Sequence, residues 1–131
     1  MRPAAVWLAV SLALGAASAT AGEEQLAVSA SCRAEPGSGR QVCRVKIAPP
    51  QGERLGWADV LVRSTPPEVR PLRSRVTAAV NADGSLAEAV FGLVANGAAS
   101  GAVLVQGRAV VCRGERCRPL SSELEIATAQ P

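Results

Sequence analysis

Short runs of alternating apolar and polar residues recur along the chain, separated by Gly, Pro, Asn and Asp. A period of two places every second side chain on one face of an extended strand. Leu26 to Arg33 alternates through Leu26, Val28, Ala30 and Cys32. Pro36-Gly37-Ser38-Gly39 then forms a turn cluster, and Gln41 to Ile47 alternates again with Cys43, Val45 and Ile47 on one face. These two runs predict a hairpin with Cys32 and Cys43 on its inward side. A third strand is expected over Trp57 to Val62, ended by Pro66-Pro67, and a fourth over Leu72 to Val80. Asn81-Ala82-Asp83-Gly84 reads as a hairpin turn, with Asp83-Gly84 able to take positive φ.

Leu86 to Val94 returns as a fifth strand, although Leu86, Ala87, Glu88 and Ala89 also favour helix. Asn96-Gly97 marks the next turn. Ala102 to Cys112 is long and apolar, with a bulge expected at Gly107, and Leu120 to Ala127 closes the pattern with Leu124 and Ile126 facing one way. Residues 22–25 and 127–131 are expected to fray. Short strands at this spacing predict an all-β fold, an immunoglobulin-like antiparallel β-sandwich with two hairpin disulfides.

The first residues read differently. Arg2 supplies a positive start, Ala4 to Gly15 is an apolar stretch too short to span a bilayer as a helix, and Ala17-Ser18-Ala19 and Ala19-Thr20-Ala21 are small-residue cleavage sites. Residues 1–21 are therefore expected to be a cleaved secretory signal peptide, leaving residues 22–131 as one sandwich domain, periplasmic or secreted, with no stable membrane insertion after cleavage.

Beyond residue 21 the chain has two aromatics, Trp57 and Phe91, with no His and no Tyr. Its core must come from Val, Leu, Ile and Ala. So small a core in an exported domain is often reinforced by disulfides, and the four cysteines fit that expectation. Removing Arg2 from the 14 basic residues leaves 13 against 11 acidic ones, a net of +2, too weak to argue for nucleic acid. Arg70, Arg73 and Arg75 cluster locally and read as a solvated strand edge. Without His there is no His base, and no Gly-x-Ser-x-Gly nucleophile elbow occurs. The cysteine spacings do not match the usual zinc pairs, so no metal and no cofactor is implied. Asp59, Glu68 and Asp83 read as surface charges.

Four cysteines allow three connectivities, of which local pairing, Cys32–Cys43 with Cys112–Cys117, suits two hairpins. Cys32–Cys43 reads as a cross-strand staple. Cys112–Cys117 closes a much smaller loop and restricts the unfolded chain less, which leaves room for a chemical role. Arg113, Arg116 and Arg118 would lower the pKa of a reduced thiol there, with Glu115 partly opposing them.

The stretch Cys112-Arg113-Gly114-Glu115-Arg116-Cys117-Arg118-Pro119, entered from Val103-Leu104-Val105-Gln106 and followed by Leu124-Glu125-Ile126, resembles the end of the N-terminal periplasmic domain of the DsbD thiol:disulfide interchange family. The resemblance implies an immunoglobulin-like sandwich exchanging disulfides with a periplasmic or membrane thiol–disulfide protein. It implies Cys112 and Cys117 as the catalytic redox pair, with Cys112 as the attacking thiol. The aromatics that family carries around its cysteines are absent, and Cys32 and Cys43 have no counterpart in it. Val76 to Ser85 together with the C-x4-C spacing is also similar to the enediyne-binding apoproteins of the neocarzinostatin type, without their cleft aromatics. The alternative to exchange is a non-catalytic exported binding or accessory module with two purely structural disulfides.

Overall fold

A computed structural model describes residues 25–96 and 101–128. The expected signal peptide lies outside them. The described residues form nine strands and no helix: β1 (Ala27–Ala34), β2 (Arg40–Ala48), β3 (Arg54–Ser64), β4 (Val69–Pro71), β5 (Arg75–Thr77), β6 (Ala79–Val80), β7 (Ala87–Ala95), β8 (Ala102–Arg113) and β9 (Arg116–Ala127). A five-stranded sheet has the order β1-β2-β7-β4, with β6 also paired to β7, and a four-stranded sheet has the order β5-β3-β8-β9. Every pairing is antiparallel. The orders match A-B-E-D and C′-C-F-G of an immunoglobulin-like sandwich with β6 in the D position, and β4, which precedes β5 in the chain, is an added strand beside β7.

The core lies between the sheets and follows the sequence alternation. Cys43, Val45 and Ile47 come from β2, and Ala87, Ala89, Phe91 and Leu93 from β7. Across from them stand Leu55, Ala58 and Val60 of β3, Val103, Val105, Ala109 and Val111 of β8, and Ile126 of β9. The helix-favouring residues at 86–89 are in strand because a period of two, not 3.6, buries Ala87, Ala89, Phe91 and Leu93 together. β9 is a long edge strand. Pro119 removes a donor from it, and Glu123 and Glu125 stand exposed along it, features that discourage pairing with another chain.

Several expectations are corrected. The run Leu72–Val80 is not one strand. After a bend, β5 joins the four-stranded sheet and β6 the five-stranded one, and buried Ala78 marks the crossing, its N–H donating to the Ala58 carbonyl at 3.0 Å. β4 occupies a stretch that its flanking prolines made look like a break; an edge position tolerates them. Gly107 is not at a bulge. It pairs regularly with Val60 and Ser122, and a Cβ there would come within 3.2 Å of both Ile47 and Val28, so its missing side chain makes room for the core.

The register shifts fall in β3 instead, between Leu55 and Trp57 and between Val62 and Ser64. The first decides where the tryptophan points. Leu55 pairs with Val111 and Trp57 with Val110, leaving Gly56 as the extra residue. One inserted residue reverses the facing of the residues beyond it on the strand. Leu55 is therefore buried while Trp57, two residues on, stands on the outer face at 37% exposure. Immunoglobulin domains commonly bury a tryptophan on the equivalent strand against an inter-sheet disulfide. Here the tryptophan is outside, and each disulfide joins neighbouring strands of one sheet.

The Asn81–Gly84 turn forms as the sequence indicates. Gly84 has φ +71°, its N–H donates to the Asn81 carbonyl, and the Asn81 side chain accepts from the Leu86 N–H at 3.1 Å. The turn is also docked, because the Leu55 N–H donates to the Gly84 carbonyl at 2.7 Å.

Candidate functional site

Both disulfides pair locally. Cys32 stands directly opposite Cys43, and Cys112 opposite Cys117, each with a Cα–Cα distance of 4.0 Å. Such spacing belongs to the closer, non-hydrogen-bonded kind of antiparallel pair. The last two cysteines are not separated by an open loop. β8 and β9 run on to the pair Arg113–Arg116, and a two-residue turn, Gly114-Glu115, closes the hairpin. Gly114 has φ +60° and Glu115 does not have positive φ, the pattern of a type II′ turn.

Because strand geometry continues to the turn, side chains alternate to its end. Cys112 and Cys117 fall on the outer face of the sheet. Arg113, Arg116 and Arg118 fall on the other. Glu53, from the β2–β3 connection, holds two of these arginines: Arg118 Nη2 lies 2.8 Å from its carboxylate and Arg113 Nη2 3.9 Å. Arg113 also donates to the Gln51 carbonyl at 3.3 Å. Cys112 is buried and Cys117 exposed, so an incoming thiol meets Cys117 first.

The same outer face carries a second constellation that the sequence did not reveal. Asp59 on β3 is directly opposite Arg108 on β8 and is completely buried. Arg108 Nε donates to one carboxylate oxygen at 2.8 Å and Nη2 to the other, while Arg75 Nε donates at 2.9 Å. Burial pushes the Asp59 carboxyl up, but the hydrogen bonds and charges of Arg108 and Arg75 outweigh it and leave the pKa below its ordinary value. Asp59 in turn raises the pKa of Arg108. The Arg108 guanidinium lies 5.8 Å from the Trp57 ring centroid, a cation–π arrangement.

Between Trp57 and Pro119 the face is hollowed into an open groove of about 410 Å³, lined in part by Gln106, Arg108, Val110 and Ser121. The Gly56 bulge sits against the disulfide at one end, since a Cβ at Gly56 would be 3.6 Å from Cys112 Sγ. The result is an aromatic ring with hydrogen-bonding side chains beside it, its nearest cation fixed from below by a buried carboxylate. Such a surface can stack a flat apolar group and donate hydrogen bonds along its rim.

Asp59 is thus no surface charge, and Arg75 is not merely a solvated edge residue. The one available signal was an acid inside an apolar strand, Trp57 to Val62, where burial requires a partner. The identity of that partner was not readable. The chain matches no protein-family model, and no curated protein matches it.

Proposed function

We propose that the protein is an exported, non-catalytic binding module whose ligand lies across the outer face of the four-stranded sheet, and that both disulfides are structural. One observation carries this reading. A bulge turns the larger of two aromatics out of an aromatic-poor core, and a buried ion-pair cluster fixes Arg108 beside it. Binding sites pair an apolar platform with a few oriented polar groups, and this face has both. The chemistry it fits is a pyranose-type ring: apolar on one face for Trp57, hydroxylated at the rim for Arg108, Gln106 and Ser121. The leader pattern in residues 1–21 and the paired cysteines support export.

Once the leader is removed Trp57 is the sole tryptophan, so its fluorescence reports directly on the site. A panel of soluble oligosaccharides should include one that gives a saturable emission change. Arg108→Gln should weaken that binding, and Cys112→Ala with Cys117→Ala should retain it. If no saccharide perturbs the emission, or if Trp57→Ala binds as well by calorimetry, the reading is wrong.

A second reading, thiol–disulfide exchange with a periplasmic or membrane partner, is favoured by the exposure of Cys117 on an open face. A partner thiolate would attack Cys117 Sγ, break the disulfide and release Cys112 as thiolate. The arginines on the opposite face, held by Glu53, would contribute less to stabilising that thiolate than their sequence positions suggest. Thiol trapping across dithiothreitol and glutathione buffers separates the readings. A potential above about −300 mV for Cys112–Cys117 supports exchange, and one below it a structural bond.

A further inference from the structure

The outer face of the five-stranded sheet gathers cations that are scattered in the sequence. Facing outward are Arg33 on β1, Arg40, Arg44 and Lys46 on β2, and Arg70 on β4. The register interlocks them. Arg40 is opposite Val94, which is opposite Arg70; Arg33 is opposite Val42; Arg44 is opposite Val90. Glu88 is the one acid at these outward register positions, and Arg44 takes it at 2.7 Å. Arg33, Arg40, Lys46 and Arg70 have no ion-pair partner among the described residues, so these outward strand positions carry a net of +4.

Its middle is apolar. Val42, Val90 and Val94 lie between the cations, and Leu72 covers Gly92, where a Cβ would come within 2.6 Å of Leu72 Cδ1. Leu72 is 52% and Val90 45% exposed, two of the three large hydrophobics left exposed among the described residues. Glu115 lies in the β8–β9 turn of the other sheet and Glu123 and Glu125 on β9, while Glu35 follows β1 and lines a hollow with Arg33, Val42 and Arg44 at one end of this face.

We infer that this face docks peripherally on an anionic lipid surface. Cations around an exposed apolar centre match a headgroup layer over hydrocarbon, where long basic side chains reach phosphates while Val and Leu enter the acyl boundary. A nucleic acid or soluble polyanion would engage the cations but leave the apolar centre without hydrocarbon, and the face presents no aromatic for stacking bases. Docking this way turns the Trp57 face, on the other side of the sandwich, away from the membrane. The inference is independent of what that face binds.

The test is flotation of the purified protein with vesicles of phosphatidylglycerol and phosphatidylcholine in equal parts, against phosphatidylcholine alone. At about 1 kcal/mol per unpaired cation near the surface, partitioning should favour the anionic vesicles by roughly a thousandfold at low salt. It should collapse near 1 M salt, where the Debye length is about 3 Å. The combined variant Arg33→Gln, Arg40→Gln, Lys46→Gln and Arg70→Gln should lose at least about a hundredfold, and Val90→Ser about fivefold, with thermal melting showing both folded. Arg63→Gln with Arg116→Gln, which removes charge from the other sheet, should change binding less than about twofold. Equal binding to both vesicle types, retention by the four-site variant, or binding to dextran sulfate without binding to vesicles would overturn the inference.

Discussion

Replacing Asp59 with Asn changes one atom in a buried site and tests the cluster under Trp57. Three charge-assisted hydrogen bonds end on this carboxylate, from Arg108 Nε, Arg108 Nη2 and Arg75 Nε. Each such bond contributes about 1.5–3 kcal/mol when its partners are buried. Here both arginines are partly exposed and regain water when released, so the sum is well below the ceiling. An amide nitrogen in place of one oxygen also faces arginine donors with nothing to accept. We expect Asp59→Asn to cost about 2–3 kcal/mol at pH 7, or roughly 10–15 °C in Tm for a domain of this size.

The pH dependence gives the sharper test. The folded pKa of Asp59 is depressed, so its contribution is fully present above the unfolded carboxylate value near 3.9 and is lost as pH falls through the folded value. Asp83, also lowered by its bonds to Ser85, is common to both proteins and cancels. Urea unfolding from pH 7 down into the acid range should therefore show the gap between wild type and variant constant above about pH 5 and closing below pH 4. A gap under about 0.5 kcal/mol at pH 7, or one that does not narrow in acid, would refute the assignment of Asp59 as the anchor.

Other perturbations probe separate parts of the argument. Gly84→Ala should cost about 2–4 kcal/mol by chemical denaturation, because φ is +71° and the new Cβ would lie 2.9 Å from the Leu55 carbonyl oxygen and 3.1 Å from the Leu55 nitrogen that donates to the Gly84 carbonyl. Loop entropy scales with sequence separation, 11 residues for Cys32–Cys43 and 5 for Cys112–Cys117. The paired Cys→Ala variants should thus lose about 3 and about 2 kcal/mol respectively, and a reversed order by calorimetry would place the second bond's value outside chain entropy. Leu93→Ala, in the fully buried middle of β7, should cost about 2–5 kcal/mol and lower Tm without altering the Trp57 groove. Trp57→Ala should remove ligand-linked changes while costing less than Leu93→Ala, since much of the ring is in water.

The alternation in Leu26–Arg33, Gln41–Ile47, Leu86–Val94 and Ala102–Cys112 was sufficient to predict β1, β2, β7 and β8 and the faces they bury. This works because a strand's two-residue period is a local property. The local disulfide pairing was equally legible, since residues flanking a tight turn meet whatever the rest of the chain does. Gly84 was readable for the same reason.

What tertiary structure decided lies where register or long sequence separation matters. The arginines flanking Cys112 and Cys117 are neighbours in sequence but lie on the opposite face, because the strands continue to Gly114-Glu115 instead of opening into a loop. Trp57 points outward because one bulge residue, Gly56, reverses the alternation. Asp59 meets Arg108 across 49 positions of sequence, and Arg33, Arg40, Lys46 and Arg70 share a face only because β1, β2, β7 and β4 align as they do. A period records which way each side chain alternates along its own strand. Which partner it meets depends on strand order and register, set by packing the two sheets together.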